Sequence, residues 1–292
     1  MLTQPRQQSL TTWSEMPLSL RHPRRSDWAD MHMGGRELGC FLEGPVLDAA
    51  GNLFVVDIPF GRVLRIDPDL RWSVLTEFDG WPNGMKLWQG RLLIADHRHG
   101  LLAIDQVSGA REVLFSAIGR TPLFGLNDLT FAPDGTLYLS DQGQTGLHDP
   151  SGRVLRRSPD GVVDVVLDNC PSPNGLVVDP VSGWLYVAMT RANAVWRVPF
   201  VQRQPSKVGL AIQLSGGIGP DGLTLDPGGN LLVAHPPLGV WQFDANNLAV
   251  RLFTAPPGSY VTNVVLDAGH SRIFVTDSMH GRILTARLDE AA

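Results

Sequence analysis

Alternating apolar and polar positions run along most of this chain in short segments separated by turns. Clear strand, turn, strand units include "AAGNLFVVDIPFGRVLRID", "APDGTLYLSDQGQTG" and "AGHSRIFVTDSMHGRILTARL". A period of two places every second side chain on one face of a sheet, and the Gly, Asn and Asp between segments suit hairpin turns. No segment longer than about ten residues has a convincing helical period. The pattern therefore predicts an all-β protein.

Six polar positions recur at the same phase of this pattern and are separated by 40, 44, 47, 47 and 42 residues. They are Glu43, Asn83, Asn127, Asn174, Asp221 and Asn263. A period in the forties is the length of one four-stranded antiparallel blade, so the repeat predicts a six-bladed β-propeller. The last unit shows only three strands, and we expect an N-terminal strand to complete it and close the ring.

The domain organisation follows from the repeat, because a closed ring of blades forms one unit. We therefore predict a single domain over residues 1–292. Residues 1–30 are an N-terminal extension, and the sequence leaves open whether they close the ring, cover the mouth as a lid or pack against the side.

Composition narrows the classes of partner. The net charge is -5, and the chain has two cysteines, Cys40 and Cys170, which are too few for a disulfide framework. An acidic balance disfavours nucleic acid, and no stretch approaches the roughly 18 apolar residues of a membrane span. With no visible export signal, the sequence predicts a cytoplasmic protein that binds neither nucleic acid nor membranes and whose oligomeric state is open.

The six recurring residues carry the candidate chemistry. Equivalent positions of a propeller converge on its axis, where two carboxylates and four amides would present oxygen ligands. This set favours a single divalent cation, with Ca²⁺ as the first choice and Mg²⁺, Mn²⁺, Zn²⁺ or Fe²⁺ as alternatives. Asn-Gly and Asp-Gly are also common turn dipeptides, but the shared phase favours the interpretation as ligands.

A second column of residues follows the first after 13 to 15 positions. It contains Asp57, Asp96, Asp141, Met189, His235 and Asp277. A hairpin returns the chain to the face it left, so both columns are expected at one end of the propeller. The four aspartates are interpreted as scaffold residues that cap the turns following them.

The rim of this end is expected to contact substrate. It would include the residues just beyond the second column, namely Ile58, His97, Gln142, Thr190, Pro236 and Ser278. Our substrate-binding candidates from the axis and the rim are Asn83, Asn263, Trp81, Phe124, Gln142, Met189 and Ser278.

Four segments resemble a known family when taken in order: "EGPVLDAAGNLFVVDI", "LNDLTFAPDGTLYLSD", "SPNGLVVDPVSGWLYVA" and "GPDGLTLDPGGNLLVAH". They are similar to the senescence-marker-protein / gluconolactonase / luciferin-regenerating-enzyme family, over roughly residues 40–289. The resemblance implies a six-bladed propeller that uses a divalent metal, often as a lactonase. It also implies that Glu43, Asn174 and Asp221 bind the metal, with Asn127 in the same shell or against substrate.

One position departs from the family pattern. Sugar-lactone hydrolases of the family often have an arginine two residues before the "ND" asparagine, whereas this chain has Gly125 there. Together with the apolar residues expected at the rim, this favours a less polar lactone or a related ester as substrate.

The predicted function is metal-dependent hydrolysis of a small-molecule lactone, a carboxylic ester hydrolase activity. Asp221 is the first candidate for general base, followed by His97 and His235, and direct attack by the Asp221 carboxylate is an alternative. Two other functions stay open at this stage. One is a phosphotriesterase-like hydrolase, since paraoxonase and fluorophosphatase propellers resemble this chain in their ligand types. The other is a non-catalytic propeller that binds a ligand or a protein.

Overall fold

The computed structural model of the protein describes residues 4–289. Six antiparallel sheets are arranged as blades around a central axis, and the predicted six-bladed β-propeller is confirmed. The first strand of each blade lies beside the first strands of its neighbours and surrounds the axis. Blades are numbered along the chain, and the strands of each blade are given from the axis outwards.

Blades 1 to 3 are formed by the first half of the chain. Blade 1 contains Leu42–Leu47, Leu53–Asp57, Arg62–Ile66 and Trp72–Glu77. Blade 2 contains Pro82–Trp88, Arg91–Asp96, Gly100–Asp105 and Arg111–Phe115. Blade 3 contains Leu126–Phe131, Leu137–Asp141, Gly152–Arg157 and Val163–Cys170.

Blades 4 to 6 follow in the second half. Blade 4 contains Pro173–Val178, Leu185–Met189, Ala194–Val198 and Gly209–Gln213. Blade 5 contains Leu223–Leu225, Leu231–His235, Gly239–Phe243 and Ala249–Thr254. Blade 6 contributes Val261–Leu266, Arg272–Asp277 and Arg282–Arg287. Two small hairpins, Ala117–Ile118 with Thr121–Pro122 and Phe200–Val201 with Gln204–Pro205, lie outside the blades.

The N-terminal stretch closes the ring, as predicted. Thr11–Glu15 pairs antiparallel with Arg282–Arg287 and is the fourth strand of blade 6. Just before it, Arg6–Ser9 pairs in parallel with Ala249–Thr254, which gives blade 5 a fifth strand that the sequence did not indicate. One continuous segment therefore supplies the outermost strands of two neighbouring blades and joins them.

Helical structure is confined to short pieces. The α-helix Asp27–His32, here called α1, is accompanied by 3₁₀ turns at Leu18–Leu20, Ile58–Phe60, Thr190–Ala192 and Ser278–His280. Among residues 4–289 there is no helix with the length and apolar character needed to cross a membrane.

Apolar side chains fill the spaces between neighbouring blades, as the period-two pattern requires. Buried Leu, Val and Ile from facing strands form six clusters. The cluster between blades 1 and 2 extends beyond the sheets, because Trp28 and Ala29 of helix α1 pack into it beside Phe41 and Trp81. The N-terminal helix is thus held at one end of the propeller.

Candidate metal centre and substrate cavity

The inner strands are irregular at the axial positions. The pairing of the inner strand with the second strand changes register between Glu43 and Val46, Pro82 and Met85, Leu126 and Leu129, Pro173 and Leu176, and Val261 and Asn263. Such irregularities bend a strand and re-aim its side chains. In blade 5 the inner strand begins at Leu223, so Asp221 precedes the regular ladder. Sequence alternation alone does not predict this geometry.

Glycines that follow axial residues allow the inner strands to approach each other. A Cβ atom at Gly84 would lie 2.2 Å from Asp128 Oδ1, and one at Gly222 would lie 2.2 Å from Asn263 Oδ1. No side chain fits at these distances. The Asn-Gly and Asp-Gly pairs therefore serve close contact between neighbouring blades around the axis, and they are not hairpin turns.

A cavity of about 390 Å³ opens at the end of the axis where these residues gather. Five of the six axial residues line it: Glu43, Asn83, Asn127, Asn174 and Asp221. A volume near the lower end of the range for ligand pockets suits a compact small molecule.

Three carboxylates lie at the bottom of the cavity or directly behind it. Glu43 is buried, and its Oε2 accepts hydrogen bonds from the Gly44 N–H at 2.7 Å and from Asn263 Nδ2 at 2.8 Å. Asp221 lines the cavity, and the Asn174 side chain lies close enough to favour its ionised form. Asp128, which the sequence reasoning missed, is also buried.

The charges of these carboxylates are poorly compensated by the protein. Burial raises the pKa of Glu43 to about 7 and raises the pKa of Asp128. Burial, followed by the charges of Glu43 and Asp128, raises the pKa of Asp221 well above its usual range. None of the three forms an ion pair with a lysine or arginine within residues 4–289. Buried charges of one sign call for a proton or a cation.

The amides around the carboxylates are oriented by hydrogen bonds. Asn127 Nδ2 donates to Gln142 Oε1 at 3.0 Å, and Gln142 Nε2 donates to Ser172 Oγ at 3.0 Å. Because the Asn127 amino group donates to Gln142, the side-chain carbonyl oxygen of Asn127 is left for a ligand. Within the described residues no three His, Cys, Asp or Glu side chains converge as a metal site on their own. The donor set that fits a cation here mixes carboxylate and amide oxygens, which is the chemistry of calcium and similar hard ions.

Several predicted rim residues lie at this cavity. Trp81, Asn83, His97 and Gln142 line it, and burial lowers the pKa of His97, so its imidazole is neutral near pH 7. Gly125, the position that departs from the expected family pattern, has a φ of +138°, and a Cβ atom there would lie 2.2 Å from the His97 ring. The His97 imidazole therefore occupies the space that a side chain at position 125 would need.

Other predicted site residues lie outside the cavity lining. Asn263 donates from Nδ2 to Glu43 and accepts from the Val264 N–H at 2.9 Å, so its amide is occupied in holding Glu43. Met189 and His235 are fully buried, and His235 Nδ1 accepts a hydrogen bond from Trp241 Nε1 at 3.2 Å. Buried Ser278 donates from Oγ to the Leu42 carbonyl at 2.7 Å. Phe124 is exposed, and the Arg153 guanidinium lies over the Phe124 ring, 3.8 Å from the ring centroid.

The second column of residues is a buried structural layer. Asp57, Asp96, Asp141 and Asp277 are all fully buried. Only Asp96 caps the turn that follows it, accepting from the N–H groups of Arg98 and His99. The other three accept instead from backbone N–H groups at the entry of their own blade, 16 or 17 residues earlier, and each pairs with an arginine.

The cavity also contains residues that the sequence reasoning did not select. Helix α1 contributes Trp28 and His32, and blades 3, 4 and 6 contribute Gln144, His148, Arg191 and Tyr260. No periodic signal marks them, since they lie in loops and in the extension. Arg191 is the only lysine or arginine among the lining residues.

Taken together, the fold and the axial cluster define a six-bladed propeller with oxygen donors gathered at one mouth of its channel. The sequence match agrees with this class over most of the chain. The protein belongs to the SMP-30/Gluconolactonase/LRE-like family, which it matches over residues 41–290. The resemblance drawn from the four motifs is confirmed.

Individual relatives are distant. A gluconolactonase from Zymomonas mobilis is 26% identical over 276 residues, covering 81% of this chain and 76% of the relative. The lactonase drp35 of Staphylococcus haemolyticus is 28% identical over 211 residues, covering 67% of this chain and 63% of the relative. A solved structure of regucalcin from Agrobacterium tumefaciens, described as a calcium-binding protein, superposes with a TM-score of 0.76 at 21% identity, covering 97% of this chain and 95% of that one. The last likeness concerns the fold alone.

Proposed function

We propose that this protein hydrolyses a lactone with the help of one divalent cation held at the mouth of the propeller. The observation that carries the proposal is the placement of Glu43, Asp128 and Asp221 around the axis. Burial raises the pKa of all three, and none forms an ion pair with a lysine or arginine among residues 4–289. Family membership and relatives named as lactonases support the same reaction class.

The residues that fit the cation are Glu43, Asn127, Asn174 and Asp221, all of which line the cavity. Asp128 adds a third negative charge behind them, and Asn263 positions Glu43. Calcium is our first choice because the donors are all oxygen, and the related regucalcin is described as calcium-binding. A cation bound there would supply Lewis acidity, which polarises the ester carbonyl and acidifies a nearby water.

The protein's own part in hydrolysis centres on Asp221. Its carboxylate faces the cavity with a raised pKa, which suits a group that accepts a proton from the attacking water. The water oxygen then bonds to the carbonyl carbon, the ring C–O bond breaks, and the proton passes to the leaving alkoxide oxygen. His97 also lines the cavity as a neutral base and is the second candidate, whereas His235 is buried away from it. Direct attack by the Asp221 carboxylate is the alternative that ¹⁸O incorporation from labelled water would separate.

The substrate is proposed to be a compact lactone with an apolar portion. One side of the cavity presents Trp28, Phe41, Ile58, Trp81 and Tyr260. The opposite side presents Gln142, Gln144, Thr145, His148 and Arg191. A ring or short alkyl group would pack on the first side, while the ester and any polar substituent would face the second. A cytoplasmic location stays a prediction of the sequence.

The experiment that tests this function is a pH-indicator hydrolysis assay on aliphatic, aromatic and sugar lactones with one phosphotriester added. Chelated protein would be supplied in turn with calcium, magnesium, manganese, zinc and iron(II). We expect hydrolysis of small aliphatic lactones, lost on chelation and restored by at least one cation. Turnover of the phosphotriester alone, or full lactone hydrolysis by protein that metal analysis shows to be cation-free, would contradict the proposal.

A further inference from the structure

Helix α1 lies outside the part of the chain that defines the family. The family match begins at residue 41, whereas the helix spans Asp27–His32. Even so, Trp28, His32 and Met33 line the cavity beside the axial residues. A wall of the candidate active site is therefore supplied by residues that precede the family match.

The helix is fixed in place by several independent contacts. Ser26 Oγ caps it by accepting from the Ala29 N–H at 3.2 Å, and Asp27 pairs with Arg98 of blade 2 at 3.1 Å. Ala29 is fully buried, and the Trp28 ring lies 4.7 Å from the Phe41 ring between centroids. Backbone hydrogen bonds between Arg24 and Leu38 close the loop that carries the helix. The helix is thus a built part of the cavity wall.

His32 is held among aromatic rings at the inner end of the helix. Its ring stacks on Trp28 at 5.0 Å and meets the rings of Trp81 and His97 edge-on at 5.7 and 5.9 Å between centroids. Burial lowers the pKa of His32 to about 4, with smaller contributions from His97 and Arg191. At neutral pH the imidazole therefore carries one donor nitrogen and one acceptor nitrogen.

Among residues 4–289, the polar edge of His32 has one weak hydrogen-bond partner. Gln144 Nε2, from the loop after the second strand of blade 3, lies 3.5 Å from His32 Nε2, which is long for a hydrogen bond. This contact spans the cavity between the helix and blade 3. A polar atom of a ligand that lies beside this pair, to one side of the line joining the two nitrogens, can form hydrogen bonds of about 2.8–3.0 Å to both.

We propose that His32 and Trp28 are specificity-determining residues, with His32 hydrogen-bonding to a polar substituent of the lactone and Trp28 limiting the length of its apolar substituent. The proposal rests on the lactonase function proposed above and narrows its substrate to short lactones bearing a hydroxyl or similar neutral group. The apolar part of such a molecule packs on Trp28 and Trp81, and its polar substituent lies beside the contact between His32 and Gln144.

The test uses full-length protein and three probes: γ-butyrolactone, its α-hydroxy derivative and γ-dodecalactone. For His32→Ala we expect KM for the hydroxylated lactone to rise about 3- to 10-fold more than KM for γ-butyrolactone, the usual effect of losing one neutral hydrogen bond. His32→Gln should recover part of the loss, because an amide also offers a donor and an acceptor. Equal KM changes for the two short lactones, or none, would overturn the role of His32.

Trp28 is tested by length selection. Trp28→Phe and Trp28→Ala should raise kcat/KM for γ-dodecalactone relative to γ-butyrolactone, by roughly 10-fold in the alanine variant. An unchanged ratio in folded Trp28→Phe and Trp28→Ala proteins would contradict the steric role. Met31→Ala is the matched control, since Met31 lies on the same helix, is 56% exposed and does not line the cavity.

Measuring the binding of ligands that cannot be hydrolysed tests the specificity role independently of the lactonase function. Calorimetry with γ-butyrolactam and its α-hydroxy derivative, which resist hydrolysis, should show that wild type prefers the hydroxylated lactam and that His32→Ala loses the preference. If no lactone is hydrolysed but this preference is found, the lactonase function fails and the specificity role stands. If lactones are hydrolysed without a His32-dependent preference, only the specificity role fails. Absence of both binding and hydrolysis in wild type would overturn both.

Discussion

Two sets of buried carboxylates lie in this propeller, and they differ in how their charge is balanced. Asp57, Asp141 and Asp277 each accept backbone N–H groups and pair with an arginine of the neighbouring strand. Glu43, Asp128 and Asp221 surround the axis. Burial raises the pKa of each, the charges of Glu43 and Asp128 raise the pKa of Asp221 further, and none of the three forms an ion pair with an arginine or lysine among residues 4–289. The first set stabilises individual blades. The second set has a negative charge that a bound cation would neutralise.

The difference shows why burial and residue type alone do not identify a functional carboxylate. Asp141 and Glu43 are both buried acids beside a strand end. Asp141 has an internal cation, Arg153, whose Nε donates to it at 2.9 Å. Among the described residues, the donors to Glu43 are neutral and include the Gly44 N–H and the Asn263 amide. The lack of a paired lysine or arginine among residues 4–289 therefore distinguishes Glu43 of the candidate metal centre from Asp141.

The largest effect is expected from neutralising the axial set. Glu43→Gln and Asp221→Asn should reduce lactone turnover by about 10²- to 10³-fold or more, as losses of electrostatic transition-state stabilisation do. The fold should persist, because each change removes a buried charge that has no partner. Steady-state kinetics and thermal melting of the variants measure the two properties. Near wild-type turnover in either variant would remove the functional distinction between the two sets.

The converse effect is expected in the structural set. Asp141→Asn leaves the Arg153 guanidinium buried without its partner, which typically costs about 3–5 kcal/mol of folding free energy. Urea denaturation should show this loss, while kcat per folded molecule stays close to wild type. Asp277→Asn provides a second example in blade 6, where Arg282 is more exposed and the loss should be smaller. Loss of activity with unchanged stability would show that the structural set has been misassigned.

A smaller effect concerns stabilisation by the cation. Calcium at 100 times its dissociation constant should stabilise the folded state by about 2.7 kcal/mol. For a chain of this size that corresponds to a rise of about 5 °C in the melting temperature. Differential scanning calorimetry with calcium and after chelation measures the shift. Glu43→Gln should show little or none of it, whereas Asp141→Asn should retain it, and an equal shift in both variants would place the ion elsewhere.

The smallest effect is the pH dependence of the cation-free protein. Because burial raises the pKa of folded Glu43 to about 7, protonated Glu43 stabilises the fold below its unfolded pKa of about 4.3, and this contribution is lost as the pH rises to about 7. His32, whose pKa is lowered, acts in the opposite direction, since its stabilisation is present above about pH 6.5 and is lost toward pH 4. Comparing wild type with Glu43→Gln isolates the contribution of Glu43 to the pH dependence of stability.

Denaturation of chelated protein at pH 5, 6, 7 and 8 provides the measurement. The stability of Glu43→Gln relative to wild type should increase from pH 5 to pH 8, because only wild type must bury a carboxylate at the higher pH. A difference that does not vary with pH would contradict the raised pKa of Glu43.

Much of the architecture follows from the sequence because blade length and strand alternation are local properties. The period of 40 to 47 residues gave the six blades, and the incomplete last unit required a strand from the N-terminus. The extra parallel strand of blade 5 was not predictable, since Arg6–Ser9 has no pattern that distinguishes it from an extended tail.

The candidate site was less accessible to sequence reasoning, for physical reasons that differ between residues. Asp128 directly follows Asn127, and strict alternation would turn it away from the axis, but the irregular pairing of the inner strand keeps both residues near it. Met189 and His235 share the column of the structural aspartates and, like them, point into buried space. His32 lies in a segment without repeats, so only the folded chain brings it to the cavity.

The central claim is that the axial carboxylates and amides together hold one divalent cation. Crystals grown with manganese, examined by anomalous diffraction, test it directly. We predict one strong anomalous peak bonded to oxygens of Glu43, Asp221 and at least one of Asn127 and Asn174, at manganese–oxygen distances of roughly 2.1–2.3 Å, between the ranges for magnesium and calcium. The absence of an anomalous peak at this position in crystals saturated with manganese would contradict the claim. A peak bound only by residues outside the set would also contradict it.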